Sequence, residues 1–417
     1  MRFTLFKNTV LLFILLGISC GSTTKTEVEK DNTPEAISKI ENKTLVKTNS
    51  PIIVGANQTR NYIPQLKGKR LGIVANQTSV IFKGDNTYIH LVDSLIALNI
   101  DIKKVFAPEH GFRGNADAGE IVKDGIDTKT GLPIVSLYGK NKKPSQEQLK
   151  DIDLIVFDIQ DVGARFYTYI SSLHYVMEAC AEQNIPLLIL DRPNPNGHYI
   201  DGPILEKEHN SFVGMHPVPI VHGMTIGEYA KMINGEGWLN NKATCKLTII
   251  PIKNYLHNRS YSLPINPSPN LPNDVAINLY PSLCFFEGTN VSAGRGTSLQ
   301  FQIYGAPTLP KTEFSFVPKP NHGAKYPKHE NKTCNGYNLT QLESLNTLDL
   351  SFLINAYSIT ENKSDFFISN GFFTKLAGTK TLQQQIEDGL TEQQIKATWK
   401  SGLDKYKHIR KAYLLYD

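Results

Sequence analysis

Two short stretches of the chain crowd together side chains able to move protons or grip a polar ligand. They are Pro108-Glu109-His110-Gly111 and Asp158-Ile-Gln160-Asp161-Val-Gly-Ala-Arg165-Phe-Tyr167-Thr-Tyr169. A glutamate fenced by proline and glycine can be held partly out of water, which favours its protonated form and suits a general acid; His110 could orient it or act itself. Asp158 and Asp161 lie three apart around a turn. Such a pair could stabilise a cation, hold a sugar hydroxyl or ligate a metal, unless Arg165 simply neutralises one of them. Tyr167 and Tyr169 offer faces for the C–H surfaces of sugars, and Phe166 is the ring best assigned to core packing. A third stretch, Glu287-Gly-Thr-Asn-Val-Ser-Ala-Gly-Arg295-Gly-Thr297, is glycine-rich and carries both charges. Arg295 could hold a carboxylate through two parallel hydrogen bonds, or pair with Glu287 to close a turn.

These groups need a frame, and the frame is an alternation of apolar runs and helical spacings. Runs at Arg70–Ala75, Ile102–Ala107, Pro133–Leu137, Leu154–Phe157 and Pro186–Leu190 each end in a polar turn marked by glycine or proline. Helical spacing over Tyr88–Leu98, from Ser145, and over Ser171–Gln183 separates them, which predicts a parallel α/β sheet. In such a sheet all five turns share one edge, where open α/β sheets bind ligands. Glu109, His110, Asp158, Asp161, Asp191 and Arg192 then lie on one rim. Thr225 with Glu228 three residues on predicts a helix start, and Leu247–Ile252 a sixth strand. The prolines of Asn266-Pro-Ser-Pro-Asn-Leu-Pro-Asn273 forbid helix and favour an extended crossing into a second, smaller domain.

The known signatures of other chemistries are missing. No Gly-Lys-Ser/Thr phosphate loop, GxGxxG, GxSxG or HExxH occurs, and His209, His216 and His222 are irregularly spaced. The formal charge of +5 on 417 residues is no nucleic-acid footprint. Arg2 and Lys7 precede the apolar run Val10–Leu16 and then Gly17-Ile-Ser-Cys20, the pattern of an export signal with a lipidation site at Cys20. Residues 1–20 are therefore expected as a lipoprotein signal peptide and 21–50 as a flexible tether. A Rossmann-like domain over 51–256 and a C-terminal α/β domain over 257–417 follow. Cys180, Cys245, Cys284 and Cys334 are widely spaced without CxxC, as buried thiols would be.

Seven motifs in one order resemble the family formerly called DUF1343, now represented by NamZ-type exo-β-N-acetylmuramidases. They are Ala75-Asn-Gln-Thr78, Pro108-Glu-His-Gly-Phe-Arg-Gly114, Phe157–Tyr169, Leu190-Asp-Arg-Pro-Asn-Pro195, His222–Glu228, Pro267-Ser-Pro-Asn-Leu-Pro272 and Phe286–Thr297. The resemblance implies a Rossmann-like domain, a smaller α/β domain and an active-site cleft between them. It further implies release of terminal N-acetylmuramic acid from the non-reducing end of peptidoglycan fragments, without metal or other cofactor, and Glu109 as the catalytic glutamate. By their own chemistry rather than by the resemblance, His110, Asp158, Asp161 and Glu287 complete the expected catalytic set. Asp158, Asp161 and Glu287 compete to be the second carboxylate, and the sugar's own acetamido oxygen as nucleophile is the other route. Asn76, Arg113, Gln160, Arg165, Tyr167, Tyr169, Asp191, Arg192, Asn194 and Arg295 form the expected substrate-binding set, with Arg295 or Arg165 on the lactyl carboxylate. The partners on this reading are peptidoglycan saccharides or muropeptides, and a membrane only through lipid on Cys20. A non-catalytic wall-binding lipoprotein and a metal-dependent hydrolase using His110, Asp158 and Asp161 are the rival readings.

Overall fold

Six parallel strands organise the chain. They are β1 (Leu71–Ala75), β2 (Ile102–Ala107), β3 (Pro133–Ser136), β4 (Leu154–Asp158), β5 (Leu187–Leu190) and β6 (Leu247–Ile250). Their spatial order is β3-β2-β1-β4-β5-β6, and the two-residue strand Gly125–Ile126 adds an antiparallel edge beside β3. The computed structural model describes residues 50–84, 87–114 and 124–417. The expected signal peptide, Cys20 and almost all of the tether lie outside the described residues.

Continuous apolar runs become strands here because both sheet faces are covered. Ile155 and Phe157 of β4 join one apolar cluster with Leu173 and Met177 of α3 (Tyr169–Glu182), while Leu154 and Val156 join another with Leu91 and Leu95 of α1 (Leu91–Ala97). Alternate residues thus feed opposite cores, as the pleat requires. Each such side chain contributes about 1.5–3 kcal/mol on burial. Helix α2 (Gln146–Leu149) and α4 (Ile226–Gly235) start at full capping boxes, Ser145 with Gln148 and Thr225 with Glu228. The expected helix over Tyr88–Leu98 is shorter. Tyr88–His90 pairs antiparallel with Val80–Phe82, and the helix begins only at Leu91.

The C-terminal region carries a three-stranded antiparallel sheet (Ile303–Ala306, Cys334–Asn338, Phe314–Phe316) and helices α5 (Asp274–Leu283) and α6 (Glu392–Arg410). It shares its core with the sheet: Tyr280, Leu283, Phe286 and Tyr406 belong to the same apolar cluster as Phe157 and Leu173. Cys180, Cys245, Cys284 and Cys334 are buried free thiols.

Candidate active site

The chain order reverses between β1 and β4, the place where a doubly wound sheet normally admits a ligand. Here the protein fills that crevice with its own polar groups. The Thr78 hydroxyl donates to Asn76 Oδ1 at 2.6 Å, and the backbone N–H of Gln160 donates to Thr78 Oγ1 at 3.0 Å. The Ser79 hydroxyl donates to the Asp158 carbonyl. Asn76 Nδ2 reaches the Tyr169 hydroxyl at 2.9 Å.

The rim residues expected to bind or catalyse there are largely spent on structure. Both oxygens of Asp158 are held by Arg192, from Nε at 2.6 Å and Nη2 at 2.9 Å, and Arg192 also donates to the Val80 carbonyl. Asp191 accepts from the Thr225 hydroxyl, the Gly227 N–H and the Tyr416 hydroxyl. Asn194 donates to the Met224 carbonyl, and Gln160 to the carbonyls of Asp161 and Pro193. Arg165, fully buried, neutralises neither aspartate. Its guanidinium donates to the carbonyls of Pro203, Val218, Leu376 and Ala377 at 2.7–3.0 Å, tying the sheet domain to the C-terminal region. Arg113 bridges Asp93 and Asp127. Asp161 takes the Gly163 N–H on one oxygen at 2.7 Å, and burial pushes its pKa up to about 7. Among the described residues, His110, Asp158 and Asp161 do not gather as a metal-ligand group, and Arg192 occupies both Asp158 oxygens.

A cavity of about 310 Å³ opens further along the same edge, beyond the tips of β2 and β3 and against the C-terminal region. Of the expected residues, Glu109, His110, Tyr167, Glu287 and Arg295 line it. Among the described residues of its wall, Asn76, Asp158, Gln160, Asp161, Arg165, Tyr169, Asp191, Arg192, Asn194 and Arg113 are absent. Phe166 lines it as well, so the ring assigned to the core faces the cavity while Tyr169 lies behind.

Glu109 sits in a tight turn closed by the Gly111 N–H on the Pro108 carbonyl, with His110 held at φ 71°. That left-handed conformation costs a non-glycine residue about 1–2 kcal/mol, which the turn imposes on a buried histidine. Two hydroxyls address the Glu109 carboxylate. Thr168 occupies the N-cap position of α3 yet makes no capping bond, and its Oγ1 donates instead to Glu109 Oε2 at 2.9 Å. The Tyr138 hydroxyl is also hydrogen-bonded to Glu109. Burial, and then the neighbouring Glu109, push its pKa well above the ordinary phenol value, so it keeps its proton and donates.

The opposite wall belongs to the glycine-rich loop. Arg295 stands between Gly294 (φ 78°) and Gly296 (φ 82°), and a Cβ at Gly294 would fall 2.5 Å from Ile303. Arg295 Nη1 meets Glu287 Oε2 at 3.3 Å. The Lys328 ammonium pins this loop by donating to the carbonyls of Phe286, Thr289 and Val291. The Tyr280 ring also lines the cavity, and burial first, then Cys284, Glu109 and Glu287, push its phenol well above the ordinary value. Sequence reasoning missed Tyr138, Thr168, Ser268, Asn270 and Tyr280 on this wall. Tyr138 directly follows the third predicted strand, and the strand-tip rule applied there would have found it.

Family models for the N-terminal and C-terminal parts of exo-β-N-acetylmuramidase NamZ match residues 71–275 and 278–416. The chain belongs to the NamZ family. The peptidoglycan β-N-acetylmuramidase NamZ of Bacillus subtilis (strain 168) is 37% identical over an alignment covering 98% of this chain and 100% of that protein. Two crystal structures of DUF1343 family proteins from Bacteroides fragilis also resemble it. One superposes with a TM-score of 0.80 at 48% identity, the other with 0.75 at 28%, each covering 88% of this chain and 99% of that one. In this member of the family the usual crevice of the doubly wound sheet is closed by the protein's own polar groups, and the cavity lies beside it.

Proposed function

We infer that this protein is an exo-acting glycosidase that releases terminal N-acetylmuramic acid from the non-reducing end of peptidoglycan fragments. The observation that carries this reading is one cavity lined by Glu109 from the sheet edge and by the Glu287–Arg295 pair from the C-terminal region. Membership of a family whose B. subtilis relative is a peptidoglycan β-N-acetylmuramidase supports it. So does the cavity volume of about 310 Å³, at the low end for ligand pockets, which suits one terminal ring rather than a threaded strand.

Glu109 protonates the departing glycosidic oxygen, with Tyr138 and Thr168 fixing its carboxylate. Glu287 is the second carboxylate in the cavity and acts on the opposite side of the anomeric carbon. The lactyl carboxylate pairs with Arg295, whose Nε has no partner among the described residues. Glu109→Gln should lower turnover of a chromogenic β-N-acetylmuraminide by about 10²–10⁴-fold with the melting temperature nearly unchanged. Wild-type turnover in that variant rejects the assignment. Proton NMR of the sugar first released tells retention from inversion: inversion means that Glu287 activates water, and retention means that either Glu287 or the sugar's own acetamido oxygen attacks the anomeric carbon. Export and a lipid anchor on Cys20 belong to the same proposal, supported by the basic, apolar and small residues before that cysteine. Cys20→Ala should move the protein from the membrane to the soluble fraction.

A further inference from the structure

The proline-rich crossing supplies a wall of the cavity, and one side chain in it has an unmet hydrogen-bonding capacity. Asn270 lines the cavity and is 3% exposed. Its backbone N–H donates to Ser268 Oγ at 3.2 Å, and its Nδ2 donates to the Gly323 carbonyl at 2.6 Å. That second bond sets the orientation of the amide, because a carbonyl can face only the NH₂ end. Asn270 Oδ1 is the end left over, and it has no partner among the described residues. A buried carbonyl oxygen left unpaired costs about 1–3 kcal/mol, so a donor brought to Asn270 Oδ1 would be favoured.

The Gly323 carbonyl also accepts from Arg295 Nη2 at 3.1 Å. One backbone oxygen therefore holds the Asn270 amide and the Arg295 guanidinium side by side. A muramic-acid ring carries a matching pair on adjacent carbons, the acetamido group at C2 and the lactyl ether at C3. With the lactyl carboxylate on Arg295, the neighbouring acetamido N–H would lie on the side of Asn270, because both residues share the Gly323 carbonyl. The spacing is rigid. Gly323 adopts φ 98°, and a Cβ there would fall 2.8 Å from Pro269, so the clip tolerates no side chain.

We propose that Asn270 is a specificity-determining residue whose Oδ1 accepts the N–H of the substrate's C2 acetamido group. This rests on the muramidase reading above and adds to it a basis for rejecting sugars without the amide. The same chemistry, a secondary amide N–H, also occurs where a peptide joins the lactyl group, so the test separates the two.

The experiment measures competitive inhibition of the full chain by N-acetylmuramic acid and by its counterpart with a 2-O-acetyl ester, which keeps the carbonyl and lacks only the N–H. Wild type should bind the ester about 10- to 100-fold more weakly. In Asn270→Ala the amide-to-ester ratio should fall to near one, through weaker binding of the amide alone. A wild-type ratio of one overturns the assignment whatever the folding of the variant, and so does a ratio that persists in Asn270→Ala. Discrimination that appears only when both ligands carry a peptide on the lactyl group also overturns it. Failure to hydrolyse any muramic-acid glycoside would sink the functional reading itself. Hydrolysis with an amide-to-ester ratio of one would sink only the role of Asn270.

Discussion

Two polar regions share the carboxyl edge of the sheet and differ in who satisfies them. Around β1, β4 and β5 the chain answers its own charges: Asp158 has Arg192, Asp191 has Thr225, Gly227 and Tyr416, and Arg165 has four carbonyls. Beyond β2 and β3 the groups are met only in part, with unpartnered donor and acceptor atoms on Arg295 and Asn270. Burying a charge is tolerable only with a partner, so the ionised groups named in the first region are paired within the fold, although Arg165 Nε and one oxygen of Asp161 have no partner among the described residues. On the function proposed above, the second region would offer its spare capacity to a ligand.

Asp158→Ala bears hardest on the self-paired region. It strands the Arg192 guanidinium, 3% exposed, with no counter-charge, and should cost about 3–5 kcal/mol in chemical denaturation. Turnover per folded molecule should stay close to wild type. A stable but inactive variant would move Asp158 into the catalytic machinery.

Asp161→Asn tests the same region with the opposite sign. The folded carboxyl titrates at about 7, against about 3.9 for an unfolded aspartate. Between those values the folded state holds a proton that the unfolded state has released, so stability falls as pH rises through the window. Full ionisation above pH 7 costs on the order of 4 kcal/mol for a three-unit shift. Asparagine keeps an acceptor for the Gly163 N–H and has no proton to lose. The variant should be the more stable form at pH 8, with the two converging near pH 4, in melts across that range. A gap that does not change with pH would refute the buried, proton-holding role.

On the cavity side, Arg295→Gln should act on recognition rather than on folding. Losing a charged hydrogen bond to the lactyl carboxylate is worth about 1.5–3 kcal/mol. The preference for muramic-acid over glucosamine glycosides should therefore drop about 10- to 100-fold in kcat/KM. An unchanged preference would assign the carboxylate to another group.

The fold was the legible part. Leu154–Phe157 and Leu187–Leu190 could be read because strands buried on both faces are apolar without interruption, and the Thr225 helix start because a capping box is local. The edge strand Gly125–Ile126 is exposed and two residues long, so it leaves no pattern. The site was legible only as an edge. Glu109, Glu287 and Arg295 stood out as charges in constrained turns, while Asp158 and Arg192 carried the same signature. Nothing in their spacing reveals that these two face each other across 34 residues. Thr168 and Asn270 were overlooked because a hydroxyl at a helix start and an amide among prolines have ordinary structural uses.

The smallest expected effect is also the finest test. Thr168→Val removes the hydroxyl that donates to Glu109 Oε2 and keeps the side chain's shape. Glu109 is half-buried, so water can restore part of the bond, and Tyr138 remains in place. The loss should stay near 1 kcal/mol, about fivefold in kcat, with KM little changed, since the carboxylate's aim matters most once the leaving oxygen takes its proton. The α3 N-terminus should be no less stable, because that hydroxyl caps nothing. A drop in melting temperature with kcat intact would show that Thr168 serves the helix after all, and would blur the division between the two regions at the point where they meet.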